Sequence, residues 1–151
     1  MRKKKFKPGD IVALPLPNCG VGCVRVIRTD EFGVLLELFA DADSANVETT
    51  FINWNRITFA YVNQYSLDSW ELIGNVPIDE KGLNIPPFFF GTTRFVTVQR
   101  PGKEDEFIRG SKTIFDEMLA RGYIHKVLWL GNNIADSIAK KQSPKWGLPP
   151  L

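Results

Sequence analysis

The sequence predicts an α+β fold, in which a curled and mostly antiparallel sheet is followed by one or two C-terminal helices. Three patterns support this: many short apolar runs separated by Gly, Pro or Asn, an opening hairpin, and helical periodicity only after residue 112. The 151 residues fit a single domain, 1–151. We expect residues 1–100 to be mainly β, and residues 101–151 to form a hairpin, helices and a packed tail.

The predicted strands are short, which is typical of a small barrel, and we expect the sheet to resemble an SH3-like barrel. They are Ile11–Leu16, Val24–Arg28, Val34–Phe39, Ile57–Val62, Trp70–Ile73, Arg94–Gln99 and Lys126–Leu130. A Pro/Asn/Gly turn joins the first two and predicts a hairpin. The third is apolar on both faces except at Glu37, so we expect a central strand that is buried on both sides.

Two helices are predicted in the C-terminal third. The first begins at Thr113, whose hydroxyl is placed to cap the backbone N–H near Asp116, and it ends at Gly122. The second spans Ile134–Lys141, and a proline three residues later ends it. The last seven residues are rich in apolar side chains and proline. We expect this tail to pack against the body of the protein.

Two segments resemble a known family. FKPGDIVALPLPNCGVGCVRVI, at residues 6–27, combines a Gly-Asp turn, an apolar strand and a Val-rich return strand. SWELIGNVPIDEKGLNIPPFFFG, at residues 69–91, carries a Trp-x-x-Ile-Gly-x-x-Pro pattern. Together they are similar to the immunity protein 26 family of bacterial polymorphic toxin systems. The resemblance implies a protein that neutralises a cognate toxin by stoichiometric binding, but it assigns no toxin-facing residues because the shared motif marks the scaffold.

Charge is unevenly distributed along the chain. The net charge is +6 over residues 1–28, −9 over residues 29–80 and +5 over residues 81–151. The acidic segment is either a solvated face or a docking surface for a basic partner. Many toxins that immunity proteins neutralise are nucleases with basic sites. We therefore expect a basic toxin domain to bind Asp41, Asp43 and Glu48, which follow the predicted central strand.

The aromatic residues are candidates for both core and contact. Trp54 lies among polar residues, a pattern typical of a half-exposed interface aromatic, and we include it as a toxin-binding candidate with burial as the alternative. Trp70 is predicted to be a buried anchor. The run Pro86–Gly91 either enters the core, which we favour, or forms an apolar patch for a partner.

The sequence offers no recognisable catalytic or metal-binding motif. His125 is the only histidine, and the patterns G-x-S-x-G, Walker A and H-E-x-x-H are absent. Cys19 and Cys23 alone would leave a zinc site two ligands short. We expect no enzyme activity, metal or cofactor. The enzymatic alternative is a small hydrolase that uses either cysteine with His125, and it requires a thiol of lowered pKa.

Nucleic acid and membranes are not expected partners. The basic cluster at residues 2–7 lies at a chain end, and the predicted barrel strands lack the interleaved aromatic and basic residues of single-strand binders. An SH3-like module that binds nucleic acid or peptide is the alternative function. Asp10, Pro15 and Pro17 interrupt the first apolar stretch, and no run reaches the roughly 20 apolar residues of a membrane span. We therefore expect a cytoplasmic protein.

Overall fold

A computed structural model describes residues 5–79, 83–92, 94–110 and 113–144 of this chain. In this part of the chain the strands are β1 (Asp10–Pro15), β2 (Val21–Thr29), β3 (Val34–Ala40), β4 (Asn55–Val62), β5 (Glu71–Asn75), β6 (Phe88–Gly91), β7 (Phe95–Gln99), β8 (Glu106–Arg109), β9 (Ile124–His125) and β10 (Leu128–Trp129). The α-helices are α1 (Val47–Thr50), α2 (Ile114–Ala120) and α3 (Gly131–Lys140), and 3₁₀ helices cover Phe51–Asn53 and Gln64–Ser69.

The described residues form two compact units. Unit 1 contains β1–β5, β10, α1 and α3, and unit 2 contains β6–β9 and α2. Mostly antiparallel sheets with few helices confirm the α+β prediction. The described strands close no barrel, so the predicted likeness to an SH3-like barrel is not confirmed. The assignment of residues 1–151 to one domain stays a prediction.

The sheet of unit 1 has the strand order β10-β4-β3-β2-β1-β5. β1 and β2 form the predicted hairpin, with Val12 opposite Val24. All neighbouring strands are antiparallel except β10, which lies parallel to β4. The strands predicted in residues 11–73 are therefore confirmed, and each observed strand end lies within about three residues of its predicted position.

Strand β3 is the centre of unit 1, and all of its residues are buried, as predicted. Gly22 and Cys23 are consecutive in the neighbouring strand β2, so they face opposite sides of the sheet. Gly22 lies against Ile138 of α3, and Cys23 lies in a core cluster with Trp54. Helix α3 therefore covers one face of the sheet, and the segment that leads to β4 covers the other.

A buried carboxylate interrupts the apolar surface of β3. Glu37 is only 3% exposed, and its Oε1 accepts a hydrogen bond of 2.8 Å from Nε of Arg25, which is itself buried. Its Oε2 lies 3.3 Å from Nη1 of the half-exposed Arg56. Nη1 of Arg25 also donates to the carbonyl oxygens of Val76 and Pro77, both at 3.4 Å. The ion pairs of Glu37 thus link β3 to β2 and β4, and Arg25 links this network to the segment that follows β5.

Unit 2 is a four-stranded sheet in the order β8-β7-β6-β9, with one face packed against α2. Its core consists of Phe89, Val96, Val98, Ile114, Phe115 and Met118. Strand β6 forms within the predicted aromatic run, where Phe89 is fully buried and Phe88 and Phe90 are half-buried. The core assignment of this run is confirmed at Phe89. No strand was predicted at β6 or β9, and β8 was covered only by the hairpin expected in residues 101–151.

The ends of α2 differ in how well they were predicted. The Thr113 hydroxyl lies 3.1 Å from Oε1 of Glu117 and makes no capping bond to the backbone, so the predicted cap is wrong. The predicted stop at Gly122 is confirmed, because its φ of +81° is a left-handed conformation that glycine readily adopts. Tyr123 N then donates to Met118 O at 3.0 Å, the bond that closes a Schellman motif.

Helix α3 begins at Gly131, three residues earlier than predicted. Asn133 stabilises this start, because its side-chain oxygen accepts a hydrogen bond of 3.0 Å from Leu130 N. The helix ends at Lys140, and Lys141 adopts a left-handed conformation before Pro144 is reached. The tail of residues 145–151, which was predicted to pack on the body, lies outside the described residues. None of the helices within the described ranges has the length and apolar character needed to cross a bilayer.

Candidate functional site

The three predicted acidic residues lie on the connection between β3 and β4, in a segment that we call the acidic loop, residues 41–48. Asp41 follows β3 directly, Asp43 lies in the turn before α1, and Glu48 lies in the first turn of α1. Asp41 and Glu48 are exposed and Asp43 is half-buried. The fold therefore holds all three acids in one short surface segment.

Asp41 is held in place by two donors. Its carboxylate accepts hydrogen bonds from Nδ2 of Asn55 at 3.0 Å and from Nζ of Lys141 at 3.1 Å. These two contacts lower the pKa of Asp41 from its usual value, so the group is ionised at neutral pH. Lys141 is 100 residues away in the chain, and no local sequence signal predicted that it neutralises part of this charge.

Asp43 organises the turn that leads to α1. Its carboxylate accepts hydrogen bonds from Nδ2 of Asn46 at 3.1 Å and from the backbone N of Ala45 at 3.0 Å. Both contacts lower the pKa of Asp43. Glu48 lines a shallow groove of about 280 Å³ between residues 44–49 and Ile73 of β5. The loop thus presents fixed negative charge beside a groove that could accept a partner's side chain.

Trp54 is buried beneath the acidic loop, with 7% of its surface exposed. Its indole Nε1 donates to Oγ1 of Thr50 at 3.0 Å. Its ring centroid lies 5.1 Å from that of Phe51 and 5.5 Å from that of Phe39. The half-exposed interpretation of Trp54 is therefore wrong: the residue supports the loop from below.

One apolar side chain beside the loop was missed. Ile52, in the 3₁₀ helix after α1, is 88% exposed, the largest exposed fraction among the large apolar residues that are described. Its immediate neighbours Phe51 and Asn53 gave no indication that the chain turns Ile52 outward. An exposed isoleucine next to a charged loop is a suitable contact residue for a protein partner.

The two segments that carry the family resemblance are neighbours in space. Strands β1 and β5 pair directly, and the buried carboxylate of Asp10 accepts bonds of 2.9 Å from Asn75 Nδ2 and from Lys7 N. A Cβ added at Gly74 would lie 3.3 Å from Val47 Cγ1, so glycine there lets α1 approach β5 closely. The Trp-x-x-Ile-Gly segment thus packs against α1, and through α1 it supports the acidic loop.

The structure gives no support to a Cys–His catalytic pair. Burial, with a smaller contribution from the Asp43 carboxylate, raises the pKa of Cys23 to about 11. Burial lowers the pKa of His125 to about 4, and its ring stacks on Phe89 with centroids 5.0 Å apart. A thiol protonated at pH 7 is a poor nucleophile. Cys19 is exposed in the hairpin turn, where its φ is +69°.

We therefore predict that Cys23 in the folded protein reacts slowly with iodoacetamide at pH 7.5. A pKa near 11 rather than 9 leaves roughly 100-fold less thiolate, and burial limits access further. Mass spectrometry of a Cys19→Ser variant should show labelling only after unfolding. Rapid labelling of that variant in its native state would contradict this prediction and favour the hydrolase alternative.

A second concave feature lies elsewhere in unit 1. It is a cleft of about 510 Å³ between residues 15–17 at the end of β1, the 3₁₀ helix Gln64–Ser69, and the start of α3 at Gly131. Trp70 lies at its base and is 6% exposed, as predicted for a buried anchor. No ionisable side chain is among its described lining residues, and the described residues include no cluster of three or more His, Cys, Asp or Glu that could hold a metal.

The family model described as Immunity protein 26 matches residues 7–93, which is more than half of the chain. The matched range includes β1–β6 and the acidic loop, whereas most of unit 2 lies outside it. No curated protein and no solved structure matches the chain. The matched range contains both the Gly-Asp hairpin and the Trp-x-x-Ile-Gly segment, and the chain belongs to the immunity protein 26 family.

Proposed function

We propose that this protein binds a cognate bacterial toxin domain and neutralises it by stoichiometric protein–protein inhibition. The observation that carries the proposal is the family match over residues 7–93. The same residues contain the acidic loop, with its ionised Asp41 and Asp43. We propose that the protein acts in the cytoplasm of the cell that makes the toxin or of its kin.

The charge of the loop supports a basic toxin, and a nuclease is the toxin class that we propose. Nucleases bind phosphate backbones with Lys and Arg, so their substrate sites attract carboxylates. Residues 29–80 carry a net charge of −9, although the buried Glu37 does not contribute to the surface. Asp41, Asp43 and Glu48 would then both speed encounter and occupy part of the phosphate track.

The geometry also supports an arrangement of contacts within this interface. Ile52 is exposed beside the charged loop and is suited to an apolar contact with the toxin. Trp54 fixes the loop and Phe51 from the core side. In this proposal Trp54 contributes to binding by holding the loop rather than by touching the toxin.

The first test is growth rescue. The DNA that flanks the gene is sequenced first. If it encodes a secreted protein with a separable C-terminal domain, that domain is expressed with and without this chain, and growth is scored. Rescue together with a 1:1 complex of the two purified proteins is the expected result. A toxic domain that forms no complex with the chain would overturn the proposal.

We predict that the triple variant Asp41→Asn, Asp43→Asn, Glu48→Gln slows association with the toxin domain on the order of tenfold at low salt, because electrostatic steering contributes about 10–1,000-fold to on-rates. Stopped-flow measurements across a salt series should also show a flatter salt dependence than for the wild type. The dissociation rate should change less than the association rate, since steering acts on the encounter.

Two control variants make this test specific. The triple variant Glu31→Gln, Glu104→Gln, Asp116→Asn removes the same charge from exposed positions outside the acidic loop and should leave most of the association rate intact. Lys141→Gln removes the cation that contacts Asp41 and should raise the association rate. Equal slowing by both triple variants would assign the effect to net charge and contradict a role for the loop.

A further inference from the structure

The second face of the unit 2 sheet, opposite α2, carries exposed aromatic rings. Phe95 pairs with Arg109, and Thr97 pairs with Phe107, so these four side chains lie on one face. The intervening Val96 is fully buried in the core against α2. Phe95 is 69% exposed and Phe107 is 77% exposed. We call this surface, Phe95, Thr97, Phe107 and Arg109, the aromatic face.

Positive charge accompanies the rings. Arg109 lies opposite Phe95, and Arg94 is the residue before Phe95 in the chain. Both arginines are exposed, and neither forms an ion pair with the described residues. Two acids at the start of β8, Asp105 and Glu106, already have partners. Asp105 accepts a hydrogen bond of 3.3 Å from Gln99. Glu106 pairs with Arg100.

The same side of the sheet continues onto β6. Phe90 lies opposite Thr97, and Phe88 lies opposite Gln99, so both half-buried rings point to the side that carries Phe95. Nζ of Lys126 lies 6.0 Å from the ring centroid of Phe88 and 5.9 Å from that of Phe90. The aromatic side chains of β6, β7 and β8 therefore share this side of the sheet with Arg109 of β8 and with Lys126, which follows β9 and donates to Oε1 of Gln99 at 2.8 Å.

We propose that the aromatic face, together with Arg94, binds single-stranded nucleic acid. Bases would stack on Phe95 and Phe107, and phosphates would pair with Arg94 and Arg109. Exposed flat rings with adjacent guanidinium groups suit this ligand, because every base has a stackable face and every nucleotide carries a negative charge. Little sequence preference is expected, since stacking does not read base edges.

The positive charge of the face favours nucleic acid over a protein partner. Phe and Arg are also common in protein interfaces. Arg109 lies opposite Phe95, however, and the ion pairs among the described residues include neither Arg109 nor Arg94, so both guanidinium groups can pair with phosphates. Nucleic acid was not expected from the sequence, because the predicted barrel strands lack interleaved aromatic and basic residues. The face depends on the pairing of β7 with β8, whose residues were not given as a strand of their own.

The test measures binding of the full chain to a fluorescent 12-nucleotide oligo-dT by anisotropy, in 50 mM salt and across a salt series. Phe95→Ala, Phe107→Ala should weaken binding at least tenfold, because each stacked base contributes several-fold or more. Arg94→Gln, Arg109→Gln should weaken it and flatten the slope of log affinity against log salt by about 1.4, which corresponds to two phosphate contacts on a single strand.

Three controls distinguish this site from the other basic surfaces of the chain and from a loss of folding. Thermal unfolding should be nearly unchanged in both double variants, since all four side chains are exposed. Replacing Lys3, Lys4 and Lys5 with Gln tests the N-terminal basic cluster, and Arg121→Gln tests another exposed arginine of unit 2. Both should keep most of the affinity.

Some results would overturn the proposal: no oligonucleotide binding by the wild type, full binding by Phe95→Ala, Phe107→Ala, or loss only in the Lys variant. Loss of toxin affinity instead of oligonucleotide affinity in the Phe variant would assign the face to a protein contact and would also overturn it. The proposed toxin inhibition depends on the acidic loop in unit 1, so it can hold or fail independently of these results.

Discussion

Replacing Glu37 with Ala is expected to lower the free energy of unfolding by about 3–5 kcal/mol, because the change leaves the buried Arg25 without its counter-charge. The side chains of Arg25 and Glu37 are 9% and 4% exposed, so water cannot replace the lost carboxylate without opening the sheet. Urea unfolding followed by tryptophan fluorescence measures the loss, since three of the four tryptophans lie in unit 1.

The matched control is the exposed pair of Asp136 and Lys140, whose charged atoms are 3.2 Å apart on α3. Asp136→Ala should cost less than about 1 kcal/mol, because exposed ion pairs contribute little. Changing Arg25 and Glu37 together to Leu should recover much of the loss, since it removes both buried charges. A Glu37→Ala cost no larger than that of Asp136→Ala would contradict the buried network.

Arg56 shows why burial, rather than the number of ion pairs, sets these magnitudes. Its side chain is 40% exposed although it contacts the same carboxylate as Arg25. Its guanidinium also lies 4.8 Å from the ring centroid of Phe59, a contact that survives in water. Loss of the Glu37 carboxylate therefore costs more free energy of unfolding through Arg25 than through Arg56, because solvent can hydrate the guanidinium of Arg56 but not that of Arg25.

The strands of unit 1 could be predicted because the chain marks them locally. The Pro/Asn/Gly turn identified the β1–β2 hairpin, and the apolar run around Glu37 identified a strand that is buried on both faces. Such signals lie within a few residues of the structure that they predict. Gly122 identified the end of α2 for the same reason, since a left-handed position there favours glycine.

Unit 2 was predicted less well because its strands are defined by their partners. The sequence Glu-Phe-Ile-Arg of β8 has too few apolar residues to indicate a strand, and it becomes one by pairing with β7. Strand β9 has two residues and lies parallel to β6, whose paired residues come 36 positions earlier in the chain. Pairings of this kind leave no local periodicity.

The candidate site shows the same division. The acids of the loop were found from their position after an apolar strand, but the contact of Asp41 with Lys141 joins residues 100 positions apart. The polar neighbours of Trp54 suggested exposure, whereas Phe39 of β3 and Phe51 bury its ring. Glu37 was identified as an exception within an apolar strand, yet its two arginine partners come from other strands.

Trp54→Ala is expected to lower the free energy of unfolding by about 3–5 kcal/mol, since it removes a large buried ring from the cluster beneath the acidic loop. Trp54→Phe keeps most of the packing against Phe39 and Phe51 and loses the hydrogen bond to Thr50. It should cost about 1–2 kcal/mol. Thr50→Val removes the acceptor of that hydrogen bond and also the bond of 2.6 Å that the Thr50 hydroxyl donates to Asn46 O. It should therefore cost about 1–2 kcal/mol, at least as much as Trp54→Phe loses through the hydrogen bond alone.

The same variants distinguish a supporting residue from a contact residue in toxin binding. If Trp54 acts by holding the loop, the Trp54→Phe variant should bind the toxin domain with nearly wild-type affinity under conditions where the variant is fully folded. Ile52→Ser should weaken toxin binding with little change in stability, because Ile52 is exposed. A folded Trp54→Phe variant whose toxin affinity falls tenfold or more would contradict the supporting role. Such a result would mean that the indole reaches the partner after the loop opens, since 7% exposure leaves too little of the ring for a direct contact.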